Sequence, residues 1–227
     1  MRPGWLFAAG AMLALAVPAA ARAQGCVGAP LPEGARAVQA QAGASTLHAG
    51  RRLTSTDLGA AFRADPAGPL AYSAEYLLRS VGGEGARVHT VSGALALRLP
   101  LPARRLTVCA RAGLGAAFHA DGATGSGYAS FTVPLALVVE LPLAAGPGRT
   151  LAPYAAPQFL WSTTSGELLG ARGLDEADAG VGVEAGVGVR AGRFVAGAGA
   201  TLSTLSPGLG APAVPRRALR VRAGVVF

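Results

Sequence analysis

The chain has 227 residues, 51% of them apolar, and a formal charge of +8 from twenty Arg against twelve Asp and Glu. It contains no Lys, Asn or Ile, which excludes a P-loop and Schiff-base chemistry, since both need an ammonium or its free amine. The Arg residues stand singly or in pairs (Arg51-Arg52, Arg104-Arg105, Arg216-Arg217) without a basic run or interleaved aromatics, which argues against a nucleic-acid surface.

The first element in chain order is a leader. Arg2 precedes an apolar run over 5–20 and then Ala21-Arg22-Ala23, the basic, hydrophobic and A-x-A parts of a signal peptide. Gly10 and Pro18 interrupt the run, which suits cleavage rather than anchoring. Residues 1–23 are therefore expected to be removed, leaving a mature chain that begins at Gln24 outside the cytoplasm. Cys26 follows closely, but a lipoprotein signal needs an aliphatic residue three positions earlier, where Ala23 stands. Residues 24–35 read as a periplasmic N-terminal segment and 36–227 as one β domain. Beyond the leader no stretch of about eighteen apolar residues is free of Gly, Pro and charge, so transmembrane helices are not expected.

From Arg36 the dominant period is two. Ten strands are predicted, over 36–46, 55–65, 69–80, 86–100, 105–119, 127–142, 150–164, 177–191, 193–204 and 217–227, with eight strands as the alternative. The first two are the weakest, because small residues dominate 36–46. In the third, Leu70, Tyr72, Ala74, Tyr76 and Leu78 alternate with Ser73, Glu75, Leu77 and Arg79. In the fifth, Leu106, Val108, Ala110, Ala112 and Leu114 alternate with Thr107, Cys109, Arg111 and Gly113. The sixth sets Phe131, Val133, Leu135, Leu137 and Val139 against Ser130, Thr132, Pro134 and Glu140. The eighth is clearest, with Ala179, Val181, Val183, Ala185, Val187 and Val189 against Gly180, Gly182, Glu184, Gly186, Gly188 and Arg190. Successive side chains of a strand point to opposite faces, so one face is aliphatic and the other small or charged. Tight connections such as 66–68 and 191–193 are expected to alternate with looser ones such as 120–126, 165–176 and 206–215.

A soluble sandwich turns a polar face to water. Here the apolar parity runs on over strands long enough to span a bilayer, for which about nine to eleven residues suffice. Backbone groups in lipid must all be paired, so the sheet has to close. The expected fold class is all-β, a closed antiparallel transmembrane β-barrel. An even strand number puts both termini on one side. Tyr72, Phe194 and Phe227 are expected to mark the periplasmic belt, and Phe118, Tyr128, Phe159 and Trp161 the outer one.

The last strand ends on Phe227, and counting back by twos gives Val225, Ala223, Val221 and Leu219. This terminal Phe after alternating apolar residues resembles the assembly signal of small bacterial outer-membrane β-barrel proteins. The resemblance implies location in the cell outer membrane of a Gram-negative bacterium, insertion by the barrel-assembly machinery, and outer-membrane lipid and lipopolysaccharide as surroundings. It identifies a broad class that spans adhesion proteins, structural anchors, narrow channels and a few lipid-modifying enzymes.

The parity opposite to the apolar one collects Asp57, Arg63, Glu75, Arg79, Arg98, Arg111, Glu140, Glu184, Arg190, Arg220 and Arg222. Inside a narrow barrel such charges are expected to pair, because an isolated buried charge is costly. The network is read as Glu75, Arg98, Arg111, Glu140, Glu184, Arg190, Arg220 and Arg222, with a direct Glu184–Arg222 pair across Gly197 and Gly199. Arg outnumbers acid there, which would suit an anion-preferring pore. His48, His89 and His119 fall near the outer rim, with Asp121 two residues after His119. A rim His–Asp pair is one arrangement for hydrolysis, while His89 is on the lipid parity. Cys26 and Cys109 are permitted to pair in an oxidising compartment and are expected to tether the N-terminal segment across the periplasmic mouth. The reading is a non-enzymatic, monomeric barrel with a structural or surface-interaction role and no cofactor or metal. The alternative is a narrow porin-like channel for small solutes, and more distantly a barrel hydrolase acting on lipid or peptide.

Overall fold

A computed structural model describes residues 23–24, 26, 28–49, 51–81, 86–100, 106–120, 127–168, 171–172, 177–206 and 214–227. Ten long strands form the fold: β1 (Ala35–Ala49), β2 (Arg51–Asp65), β3 (Leu70–Val81), β4 (Ala86–Arg98), β5 (Thr107–Ala120), β6 (Gly127–Glu140), β7 (Arg149–Leu168), β8 (Ala177–Ala191), β9 (Phe194–Ser206) and β10 (Val214–Val226). Each pairs antiparallel with its sequence neighbours, and β10 returns to β1, from Arg216 opposite Leu47 to Val226 opposite Ala37. The sheet is a closed ten-stranded antiparallel barrel.

Closure reaches the last residue. The Arg36 amide donates to the Phe227 carbonyl at 3.0 Å and the Phe227 amide to the Arg36 carbonyl at 2.9 Å, while the Phe227 ring stays exposed on the outside. Two ladders are interrupted at proline, which has no amide hydrogen to give. The β5–β6 pairing skips from Ala112–Leu135 to Gly115–Thr132 across Pro134, and the β6–β7 pairing skips from Ala155–Val139 to Gln158–Ala136 across Pro157.

The alternating pattern decides which face is which. Val181, Val183, Leu135, Leu137, Leu114, Leu95, Leu58 and Leu219 are all exposed on the outside, a band that is stable only against lipid. Tyr72, Phe194 and Phe227 lie outward toward the end that carries the termini, and Phe118, Phe159 and Trp161 outward toward the other; the Tyr128 side chain lies outside the described residues. The expected alternation of turn and loop lengths holds only in part. At the far end a single residue separates Ala49 from Arg51, while at the terminal end 99–106 and 141–148 are as long as the far-end connection 169–176.

The core is a plug in the barrel mouth, not a layer between sheets. Cys26, Ala29, Pro30 and Leu31 are buried against the inward residues Ala37, Ala71, Ala96, Val138, Val195 and Val226, contributed by strands all around the ring. Leu31 is wholly buried, which is worth about 1.5–3 kcal/mol for a side chain of this kind. Ala23–Gln24 pairs with Leu31–Pro32 to fold the segment back on itself. Gly28 makes the bend with φ 72°, where a side chain would be strained. A disulfide joins Cys26 to Cys109 of β5, with Cα atoms 5.7 Å apart.

Candidate functional site in the barrel lumen

Above the plug the inward residues become polar, strand by strand. Nearest the terminal end, Arg98 at the end of β4 donates from Nη2 to Asp65 Oδ1 at 2.9 Å and from Nη1 to the Gly68 carbonyl at 3.0 Å. This clamps β4 to the β2–β3 turn. Glu140 is buried here, and its Oε1 has no hydrogen-bond partner among the described residues.

The next layer is built on Tyr154 of β7. Its hydroxyl donates to Glu184 Oε1 at 2.9 Å, and Arg111 Nη2 meets Glu184 Oε2 at 3.1 Å. Arg222 donates from Nη2 to the Tyr154 hydroxyl at 3.2 Å and to the Gly28 carbonyl of the plug. Its guanidinium carbon lies 5.8 Å from the Tyr154 ring centroid. The sequence leaves room for this by glycine. A Cβ at Gly186 or Gly199 would stand 2.8 Å from the Tyr154 hydroxyl, and one at Gly197 would stand 3.0 Å from Arg222 Nε. Any side chain there would displace the ring or the guanidinium.

On the β1–β3 side of the lumen, Arg63 donates from Nε to Gln39 Oε1 at 2.7 Å and pairs through Nη2 with Glu75 Oε1 at 2.6 Å. Glu75 Oε2 also takes Arg220 Nη1 at 3.2 Å. Asp57 and Arg79 form a two-pronged pair, Oδ1 to Nε at 2.7 Å and Oδ2 to Nη2 at 2.9 Å, the geometry that makes a charge-assisted pair strong and directional. Beyond them Ser45 and Ser55 bond across β1–β2 at 2.7 Å. A cavity of about 330 Å³ lies among these layers, lined by Arg79, Arg111, Arg220, Glu75 and Glu184 among others.

The expected direct pair between Glu184 and Arg222 is not formed. Tyr154 sits between them, so Glu184 takes Arg111 and Arg222 turns to the plug carbonyl. Of the other network residues expected, Glu75 and Arg220 come together with Arg63 as a third member. Arg98 finds Asp65, which sequence reasoning passed over. Glu140 and Arg190 face inward, and neither stands in an ion pair among the described residues; Arg190 Nε is buried without a partner. Tyr154, Gln39 and Asp65 were legible as inward by parity alone.

His89 and His119 do not converge. His89 faces outward, its Nδ1 at 2.8 Å from the Tyr76 hydroxyl and its ring stacked on Phe118 at 5.4 Å. His119 Nδ1 donates to the Arg87 carbonyl at 2.6 Å. The His48 side chain and Asp121 lie outside the described residues. Among the described residues neither His89 nor His119 bonds to a Ser, Thr or Cys, and no group of three His, Cys, Asp or Glu stands where it would hold a metal ion.

Among solved structures the fold is shared with small bacterial outer-membrane barrels. The translocator domain of the autotransporter NalP from Neisseria meningitidis superposes with a TM-score of 0.50 at 13% identity, over 86% of this chain and 88% of that one. Neisserial surface protein A gives a TM-score of 0.42 at 14% identity, over 86% and 98%. The outer membrane protease OmpT from Escherichia coli gives 0.40 at 8%, over 85% and 95%. No protein-family model and no curated protein matches the chain. At these identities the likeness is one of fold, and the fold is that of the outer-membrane β-barrels. A closed sheet with an apolar exterior and a charged interior belongs in that membrane, and the fold by itself assigns no activity.

Proposed function

We propose that the protein is a non-enzymatic outer-membrane barrel with a structural or surface-interaction role, closed at the end that carries its termini. The observation that carries this reading is the plug. Cys26, Ala29, Pro30 and Leu31 fill the mouth with buried apolar side chains, and the Cys26–Cys109 bond ties them to the wall. A stoppered barrel holds its shape and displays its far rim but does not conduct. In planar bilayers the unmodified protein should show no steady single-channel conductance. A reproducible open level at low voltage, without reductant, would overturn the reading.

A second reading is favoured by the Arg surplus along the lumen: a narrow channel that prefers anions once the plug has left. Deleting 24–31 separates the two. A conducting, anion-selective deletion variant beside a silent full-length protein supports the plugged state as the resting one. Equal conductance of both supports the channel reading.

A further inference from the structure

The lumen carries more positive charge than its own carboxylates balance. Among the inward positions of the described strands there are eight Arg (63, 79, 98, 111, 190, 216, 220 and 222) against six acids, Asp57, Asp65, Glu75, Glu140, Glu184 and, by register, Asp178, a surplus of two. The imbalance is greatest around the cavity, which six of the Arg and two Glu line. The ion pairs described above sharpen the imbalance. Glu75 is shared by two guanidiniums, and Arg222 donates to a carbonyl and a phenol rather than to a carboxylate among the described residues.

Donors remain as well as charge. A guanidinium has five N–H groups. Arg111 and Arg220 each present one nitrogen to a carboxylate, and Arg79 presents two. None of their other nitrogens is a buried atom without a partner, and all three side chains line the cavity. The Arg220 side chain keeps 34% of its surface. An apolar ligand would leave such groups unpaired and a neutral carbonyl would leave their charge unmatched, whereas a tetrahedral oxyanion supplies charge and matches the planar fork two oxygens at a time. The volume of about 330 Å³ is at the low end for small-molecule sites, about 300–1,000 Å³, and excludes a polymer.

We propose that this cup is a binding site for a small soluble oxyanion, a phosphate- or sulfate-bearing molecule of two or three negative charges, held by Arg79, Arg111 and Arg220. The inference goes beyond the closed-barrel reading and is tested apart from it, since binding and conductance are read separately.

The test is calorimetric titration of the refolded full-length barrel in zwitterionic detergent at low salt, with inorganic phosphate and with sulfate as probes. Glucose 6-phosphate against glucose shows whether an ester is accepted. Saturable one-to-one binding of phosphate and of the ester, but not of glucose, is expected. Arg220→Gln should weaken phosphate binding at least about tenfold, while Arg193→Gln, at the β8–β9 turn outside the lumen, should leave it unchanged. Glu75→Gln removes the shared carboxylate and should tighten binding several-fold, an effect in the direction opposite to any loss of fold. The proposal is overturned if phosphate gives no saturable heat with a barrel that keeps its folded gel mobility. It is equally overturned if Arg220→Gln and Arg193→Gln have the same effect, or if Glu75→Gln weakens binding.

Discussion

Replacing Cys26 and Cys109 together by Ser tests the plug most directly. The bond spans 83 residues of sequence and so closes a loop that contains β1 to β4 and the start of β5. Chain-entropy reasoning assigns such a closure about 4.5 kcal/mol at 25 °C. That figure is a ceiling, because the strands between the two cysteines hold each other by their own ladders. The seat itself stays attractive without the bond: Leu31 contributes about 1.5–3 kcal/mol of burial, and Gly28 keeps its bond to Arg222. The double variant should therefore fold, unfold in urea at a clearly lower midpoint, and expose the segment around Leu31 to protease more often. Urea titration followed by tryptophan fluorescence and by folded-form gel mobility, each with and without reductant, reads this. The unmodified protein with reductant should behave as the double variant does. If reductant leaves the midpoint of the unmodified protein unchanged, and both thiols alkylate without it, there is no tether and the argument from it fails.

Four other substitutions discriminate between parts of the account. Val183→Arg, on the lipid face of mid-β8 where Val183 is 40% exposed, should cost about 2–4 kcal/mol in bilayer refolding, against a much smaller effect of Gly115→Ala, whose Cβ would only touch Ser92 at 3.6 Å. By face alone Gly188→Ser should be mild, but its Cβ would stand 2.6 Å from Pro30, so it should unseat the plug and raise conductance in planar bilayers. Tyr154→Phe leaves Glu184 Oε1 without its donor and should lower stability by about 1–3 kcal/mol in urea titration. Deleting Phe227 should reduce the folded yield in cells more than it shifts the urea midpoint, and N-terminal sequencing of the wild-type protein from the outer-membrane fraction should start at Gln24.

The barrel was legible because lipid and lumen impose opposite chemistry on alternate residues, and the eighth strand, with Val181, Val183, Val187 and Val189 against Gly180, Gly182 and Glu184, shows it without interruption. Where strands outrun the lipid the signal fades. The outward parity of β1 and β2 passes from Val38, Ala40 and Leu58 to Thr46, Thr54 and Arg52, so the sequence suggested 36–46 and 55–65, whereas the hairpin continues through His48 opposite Arg52. The inward charges were legible by the same parity, but their partners were not. Arg111 reaches Glu184 from β5 to β8, and Arg220 reaches Glu75 from β10 to β3. Those contacts depend on how the ring curves and on how far strands slide past one another, which no local pattern encodes. Tyr154 carries no charge and so stood outside the set of inward ionic residues, although a tyrosine buried on that parity has a hydroxyl in need of a partner.

The plug and the charge network are one structure rather than two. Arg222 is at their boundary, nearly buried, with one nitrogen shared between the plug carbonyl of Gly28 and the Tyr154 hydroxyl. From there the chain of bonds passes through Tyr154 to Glu184 and on to Arg111. Withdrawing the plug therefore does more than uncover apolar side chains. It leaves a buried guanidinium with the phenol as its remaining bond and loosens the group that orients Glu184. In a polar chain within a low dielectric, each bond strengthens the next, and removing an end weakens the whole. The closed state is thus held by apolar burial below and by hydrogen bonding above, with Arg222 coupling the two. The glycines at 186, 197 and 199 are what permit that coupling, since a side chain at any of them would separate Tyr154 or Arg222 from its partner.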